Sequence, residues 1–278
     1  MAGTLFVVAT PLGNLGDLSP RAAQTLKSVA LVAAEDTRHS RPLLNHAGST
    51  AELISFHAHS SDGDLRRLLD RLAGGQDIAL ITDAGTPLVS DPGVMLVAGA
   101  RERGIPVITI PGPNAVVAAL AVAGLPADRY TFLGFLPRKG GDRKRLLQSV
   151  AASPWTVVLF ESPLRVGALL RDLVDVCGGE RRAAVARELT KIFEETRTGT
   201  LTELAGYYAD APARGEVTVV VAGTGRDPAP QAEVPAADPA ERARALLAEG
   251  LSRRDAADRL AEETGITRNA AYRLVNAL

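Results

Sequence analysis

The densest chemistry in this chain lies in Thr82-Asp83-Ala84-Gly85-Thr86-Pro87-Leu88-Val89-Ser90-Asp91-Pro92-Gly93, directly after the apolar run Ile78-Ala79-Leu80-Ile81. A buried parallel strand ends this way when the loop at its carboxyl edge carries a ligand. Gly85 lets main chain approach closely, while Pro87 and Pro92 keep the loop from coiling into a helix. Carboxylates at Asp83 and Asp91 suit a ligand with hydroxyls and positive charge better than one rich in phosphate. Asp91, further along the loop, is expected to cap the helix that starts near Gly93.

Other strand ends carry comparable sets. Ala9-Thr10-Pro11-Leu12-Gly13-Asn14-Leu15-Gly16-Asp17 lacks the glycine spacing of a dinucleotide fingerprint, and Pro11 removes a donor that a phosphate cradle needs. That excludes a P-loop and argues against an NAD site. Glu35-Asp36-Thr37-Arg38 offers two carboxylates, a hydroxyl and a guanidinium; its plainer reading is a solvated helix start. Three loops leaving one sheet edge converge on one crevice. Pro111-Gly112-Pro113-Asn114-Ala115 reads both as a rigid hinge and as a helix N-terminus facing a ligand. Arg138, Lys139, Arg143, Lys144 and Arg145 surround Asp142 and a glycine pair, a phosphate-contacting patch that supplies position rather than specificity. Glu161-Ser162-Pro163-Leu164-Arg165 and Arg187-Glu188-Leu189-Thr190-Lys191 also follow strands, where an interdomain ion-pair network is the commoner fate. His39, His46, His57 and His59 show no metal-ligand spacing, so no metal site is expected.

The elements that must position these residues alternate. Strands are expected at Thr4–Ala9, Val29–Ala34, Leu53–Phe56, Ile78–Thr82 and Ile105–Ile110, with helices from Ser19-Pro20, over Leu65–Leu72 and over Ala115–Ala123. This βα alternation predicts a mostly parallel sheet with helices on both faces. Tyr130–Phe135, Trp155–Glu161, Ala183–Arg187, Phe193–Gly199 and Val217–Ala222 are further strands, with helices near Arg143–Val150, Leu164–Val176 and Leu201–Ala209. Their close succession after Ala183 predicts a mixed sheet with antiparallel pairs. The expected division is residues 1–112 and 113–224 as two α/β domains, 225–239 as a Pro-rich linker, and 240–278 as a helix–turn–helix-like tail. In the tail, Ser252 and Asp255 form a capping box and Gly265-Ile266-Thr267 a turn.

Composition narrows the function class. At 278 residues the chain can form two domains with cores of their own. A net charge of −1 argues against coating nucleic acid by bulk electrostatics, so any polyanion site is a local patch. Cys177 is alone, which excludes a disulfide framework. No basic leader precedes the first strand and no apolar stretch is long enough to span a membrane, which together predict a cytoplasmic protein.

Taken in order, VATPLGNLGDLSPRA, AAEDTRHSRPLL, TDAGTPLVSDPG, IPGPNAVVAAL, GLPADRYTFLGFLPRKG, FESPLR, ARELTKIFEE and GEVTVVVAG resemble the tetrapyrrole methylase superfamily across about residues 5–223. Within it the chain is most similar to the 16S ribosomal RNA (cytidine-2′-O)-methyltransferase family. The resemblance implies two α/β domains of the class III methyltransferase type, a cleft for S-adenosylmethionine between them, and a homodimer. It places donor contacts on Leu12, on Asp83, Gly85, Thr86 and Pro87, on Asn114 and Ala115, and on Phe160. Leu164 departs from the family, which commonly has His there.

The implied activity is methylation of a cytidine 2′-hydroxyl in the decoding region of 16S rRNA, with the rRNA or the small ribosomal subunit as partner. Such a displacement depends mainly on positioning the hydroxyl, and needs no metal because the donor is already cationic. The hydroxyl still needs a proton acceptor, for which Glu35, Asp36, Glu188 and Lys191 are candidates. Lys191 serves as a base only if neutral; charged, it stabilises the developing alkoxide. Arg38, Arg165 and Arg187 are expected to hold phosphates, and the Arg138–Arg145 patch and the tail to hold flanking rRNA. Two alternatives stay open: a small-molecule or tetrapyrrole methyltransferase on the same fold, and a ligand-sensing DNA-binding regulator using the tail.

Overall fold

The structure is a computed structural model that describes residues 2–57, 60–89, 93–210, 215–225, 239–264 and 266–278. His59, Asp91 with its expected cap, most of the linker and Gly265 of the tail's turn lie outside the described residues.

The first sheet contains β1 (Leu5–Val8), β2 (Leu31–Ala34), β3 (Glu52–Ser55), β4 (Ile78–Ile81) and β5 (Val107–Ile110), in the order β3-β2-β4-β1-β5. Every pairing is parallel. Runs such as Leu-Val-Ala-Ala in β2 are buried throughout, because helices cover both faces of the sheet. On one face α1 (Pro20–Ser28) and α2 (Thr37–Ala47) bring Leu26 and Leu44 against Val8, Val32 and Ile81. On the other, α3 (Asp62–Ala73) and α4 (Val94–Glu102) bring Leu68, Leu72 and Leu96 against Leu5, Leu31 and Leu80. Ser19 starts α1 by accepting from Ala22 N, with Pro20 at the first helical position. With all strands parallel, the loops after β1, β2 and β4 leave from one edge.

The second sheet runs β6-β7-β10-β8-β9, made of β6 (Tyr130–Phe135), β7 (Thr156–Glu161), β8 (Arg182–Arg187), β9 (Glu195–Thr200) and β10 (Val217–Val221). Only β6 and β7 pair in parallel; the other pairings are antiparallel. Helices α6 (Gly141–Ala152), α7 (Val166–Cys177) and α8 (Leu201–Asp210) cover one face through Leu147, Leu169, Leu170 and Leu204. Helix α5 (Ala115–Ala123) covers the other, placing Val116, Ala119 and Leu120 on Val158, Ala184 and Val220. The hinge Pro111–Asn114 therefore separates the two sheets, which lie together in one compact unit, Met1–Gly225.

Several expected bounds shift by one or two residues, β2 starting at Leu31 and β5 at Val107, and two of the shifts have a clear local cause. Phe193 falls outside β9, because Lys191 N donates to Glu188 O and Glu194 N to Lys191 O, turning the chain there and leaving Phe193 exposed. Leu164 is not helical: Arg165 N donates to Ser162 O in a turn, and α7 begins at Val166.

The second unit is all helical where described. Helices α9 (Pro239–Ala248), α10 (Arg253–Thr264) and α11 (Arg268–Asn276) enclose Leu246, Ala256, Leu260, Ala271 and Val275. Asp255 N donates to Ser252 Oγ at the start of α10, and Ala270 N to Thr267 Oγ1 at the start of α11. Among the described residues no helix is long and apolar enough to cross a membrane.

Candidate active site

The carboxyl edge of the first sheet meets β7 and β10 across a cavity of about 400 Å³. The loops after β1 and β4 are stitched together, since Thr10 N donates to Gly85 O at 2.8 Å and Gly85 N returns to Thr10 O at 3.1 Å. Gly85 has φ +83°, and a Cβ there would press 3.2 Å from Leu12 Cδ2. Leu12, Asp83, Gly85, Thr86, Asn114, Ala115 and Phe160 all line the cavity, whereas Pro87 is buried and not on its wall. Asn114 spends its Oδ1 on capping α5, accepting from Val116 N at 3.0 Å and Val117 N at 3.2 Å. Thr86 Oγ1 donates to Pro113 O at 3.1 Å, which holds the hinge against the loop.

The second sheet contributes strand residues. Antiparallel pairing sets Val217 opposite Glu161 and Thr218 opposite Phe160, so the end of β7 and the start of β10 face the cavity together. The Phe160 ring is held 4.8 Å from that of Phe132 and 5.5 Å from that of Phe135, centre to centre. Glu161 is only 2% exposed. Its Oε1 accepts from Ser162 N at 2.7 Å. Oε2 lies 3.1 Å from Arg165 Nη2, but the alignment gives no hydrogen bond, so that buried oxygen has no hydrogen-bond partner among the described residues. The carboxylates Glu35, Asp83, Glu161 and Glu216 line the cavity, and no Lys or Arg does among the described residues. Such a lining favours a cation.

The proton-acceptor candidates separate clearly. Glu35 is on the wall and accepts from Thr82 Oγ1 at 2.8 Å. Asp36 caps α2 and binds the Arg38 guanidinium at 2.8 Å; that hydrogen bond, with a second from Arg38 N, holds its carboxyl well below the usual carboxylate range. A carboxylate so held is a poor base, and Arg38 in turn is paired. Glu188, Lys191 and Glu216 form a cluster, with Lys191 Nζ donating to Glu188 Oε1 at 3.0 Å and to Glu216 Oε2 at 3.2 Å. Burial pulls the Lys191 pKa down, but the two carboxylates outweigh it and leave it above its ordinary value. Burial likewise pushes Glu188 up, and the Lys191 and Glu216 N–H hydrogen bonds bring it net below its ordinary value. Lys191 is thus a cation, which runs against the neutral-base role. Its stem covers the first loop, where a Cβ on Gly13 would sit 2.5 Å from Lys191 Cγ. Glu188 and Thr190 hold positive φ values of 51° and 67°, strain of the kind that gathers at functional loops.

The expected phosphate-binding arginines are engaged. Arg165 faces Glu161, and Arg187 pairs with Glu195 at 2.6 Å. The basic patch divides: Arg143 is bound to Asp172 and to Pro137 O, and Arg145 to Asp142 at 2.7 Å. Arg138, Lys139 and Lys144 are exposed, with no side-chain partner among the described residues. Sequence reasoning missed Thr82, Gly215, Glu216 and Thr218 as cavity residues. The readable signal was a Gly-Glu pair entering a valine run that Thr218 interrupts.

Comparison with known proteins supplies an independent line. The family model for Tetrapyrrole (Corrin/Porphyrin) Methylases matches residues 4–205. The chain is 49% identical to ribosomal RNA small subunit methyltransferase I of Pseudomonas aeruginosa, over 98% of this chain and 96% of that protein. To the protein of the same name from Synechocystis sp. it is 46% identical, over 98% and 97%. Among solved structures, the uroporphyrin-III C-methyltransferase of Thermus thermophilus, complexed with S-adenosylhomocysteine, superposes with a TM-score of 0.56 at 19% identity, covering 78% of this chain and 96% of that one.

Proposed function

The chain belongs to the tetrapyrrole methylase family, and from that premise we propose that it transfers the methyl group of S-adenosylmethionine to the 2′-hydroxyl of a cytidine in the decoding region of 16S rRNA. Near-full-length identity to small-subunit rRNA methyltransferases carries this reading. The cavity fits the donor substrate: a sulfonium and an ammonium would meet the acidic lining, and Glu161 Oε2, ion-paired with Arg165 but not hydrogen-bonded, offers an acceptor for an N–H or hydroxyl. Leu12, Gly85 and Phe160 would give the apolar and main-chain surface. The unpaired Arg138, Lys139 and Lys144 would contact rRNA phosphates. The likeness to a uroporphyrin methyltransferase, at 19% identity, concerns the fold alone.

Label from methyl-labelled S-adenosylmethionine should enter 16S rRNA when small subunits lacking the modification are incubated with the protein. Absence of label in rRNA overturns the reading. We also propose that the protein works as a cytoplasmic homodimer. Exposed apolar side chains at Val94 and Met95 on α4 and at Val117 and Val122 on α5 support self-association. Light scattering should give twice the chain mass, and a monomer under assay conditions refutes it.

A further inference from the structure

A second pocket of about 200 Å³ adjoins the donor cavity and shares Leu12, Thr82 and Asp83 with it as a common wall. Its far side comes from the start of α2 and includes His39, Ser40 and Leu43. Two features point to a polar occupant. Ser40 is 3% exposed and its Oγ has no hydrogen-bond partner among the described residues, a costly state for a buried hydroxyl. From the α2 side, His39 reaches the shared wall, its Nδ1 lying 3.3 Å from Asp83 Oδ2. A carboxylate only accepts, so in the neutral ring this contact selects the tautomer with the proton on Nδ1 and leaves the lone pair on Nε2. Nε2 has no partner among the described residues, and the ring is 72% exposed at the pocket. Asp83 is itself anchored, its Oδ1 accepting from Asp36 N at 3.0 Å.

We propose that the acceptor nucleoside seats in this smaller pocket and that His39, oriented by Asp83, is the general base of the methyl transfer. The inference rests on the function proposed above and names the acceptor half of the site. A lone pair of the 2′-oxygen forms the new O–CH3 bond while the C–S bond breaks and its electron pair stays on sulfur. His39 Nε2 takes the hydroxyl proton, and Asp83 stabilises the imidazolium that results. Charge balances, since the positive charge lost at sulfur reappears on the imidazole. His39 outranks the other candidates on the page. Glu35 lines the donor cavity and not this pocket and is engaged by Thr82 Oγ1, Asp36 is too weak a base beside Arg38, Lys191 is a bound cation, and Glu188 is spent on Lys191. Apolar surface from Pro11, Leu15, Pro42 and Leu43 suits the face of one base.

The test uses the full-length protein and unmodified small subunits. His39→Gln and His39→Gly should lower kcat by about 100-fold or more while the Kd for S-adenosylhomocysteine, by calorimetry, stays unchanged. Added imidazole should restore part of the His39→Gly rate, which a merely structural role would not allow. Undiminished kcat in His39→Gln overturns the proposal. A second readout needs no turnover. Nitrogen-15 spectra of the histidine rings should show His39 protonated at Nδ1 in the wild type, with the preference lost in Asp83→Asn. A wild-type ring protonated at Nε2 instead also overturns it. If wild-type protein labels rRNA and the His39 variants match it, only this inference fails; if wild type labels no rRNA, both readings fail.

Discussion

The two sheets reach the same cavity by different means. The first is all parallel and holds its contribution beyond the strand ends, in loops where Gly85, Thr86 and the Thr10–Gly85 bridge shape a main-chain floor. The second is mostly antiparallel and contributes from the strands themselves, with Phe160, Glu161, Val217 and Thr218 at the paired ends of β7 and β10. Parallel strands send all their carboxyl ends to one edge, so loops can gather there. An antiparallel pair brings a strand end and a strand start together instead, and side chains do the work. The first sheet thus sets the main-chain shape and the second adds aromatic contact, while each supplies two carboxylates, Glu35 and Asp83 from the first and Glu161 and Glu216 from the second.

That contrast is open to attack at several points. The largest effect is expected for Gly85→Val, where a β-branched residue at φ +83° must also displace Leu12. Backbone strain of about 2–3 kcal/mol weakens donor binding on the order of 100-fold. Because shape is at fault, calorimetry should find S-adenosylmethionine and S-adenosylhomocysteine weakened alike. Next, replacing Arg138, Lys139 and Lys144 together by Ala should weaken rRNA binding, with the slope of log K against log salt reduced by about 2. The same change at the already paired Arg143 and Arg145 should move the slope less, measured by filter binding across a salt series. Glu161→Gln, a change of charge without a change of shape, should weaken S-adenosylmethionine by about tenfold and its uncharged-sulfur product clearly less. Equal losses for both ligands would erase the distinction between the sheets.

The smallest effect concerns acid stability. Glu188 is held below its ordinary value of 4.5 in the folded protein, so below that pH the unfolded chain binds the extra proton first. Its contribution is present above pH 4.5 and fades as pH falls through the folded value. Denaturant titrations in wild type and Glu188→Gln should therefore converge as acid is added below about pH 4.5, and a constant gap would refute the linkage.

The same contrast governs what the sequence made legible. Loop chemistry was readable because glycine, proline and aspartate announce it: the strand before Thr82, the crevice edge, and the start of α5 at Asn114 all followed. Helix α5 and strand β6 match their expected bounds, since Asn114 caps one end of α5 and Gly124, at φ +65°, closes the other. Strand-borne site residues hid inside apolar runs, as Thr218 did among valines. Partnerships between distant residues were illegible altogether. Nothing local ties Arg143 to Asp172, Arg187 to Glu195, or His39 to Asp83, which meet only when strands and helices pack. For that reason Arg187, expected to hold phosphate, is bound within the protein, whereas Arg38 and Arg165 meet carboxylates only two and four residues away.

The wall formed by Leu12, Thr82 and Asp83 has a thermodynamic consequence. The same three residues line two pockets, so an occupant of one bears on part of the surface that the other presents. Linkage then requires reciprocity: if an occupant of the larger cavity tightens binding in the smaller by some factor, the second occupant tightens the first by the same factor. A substitution on this wall cannot tune one affinity alone. The two half-sites are coupled through three shared side chains.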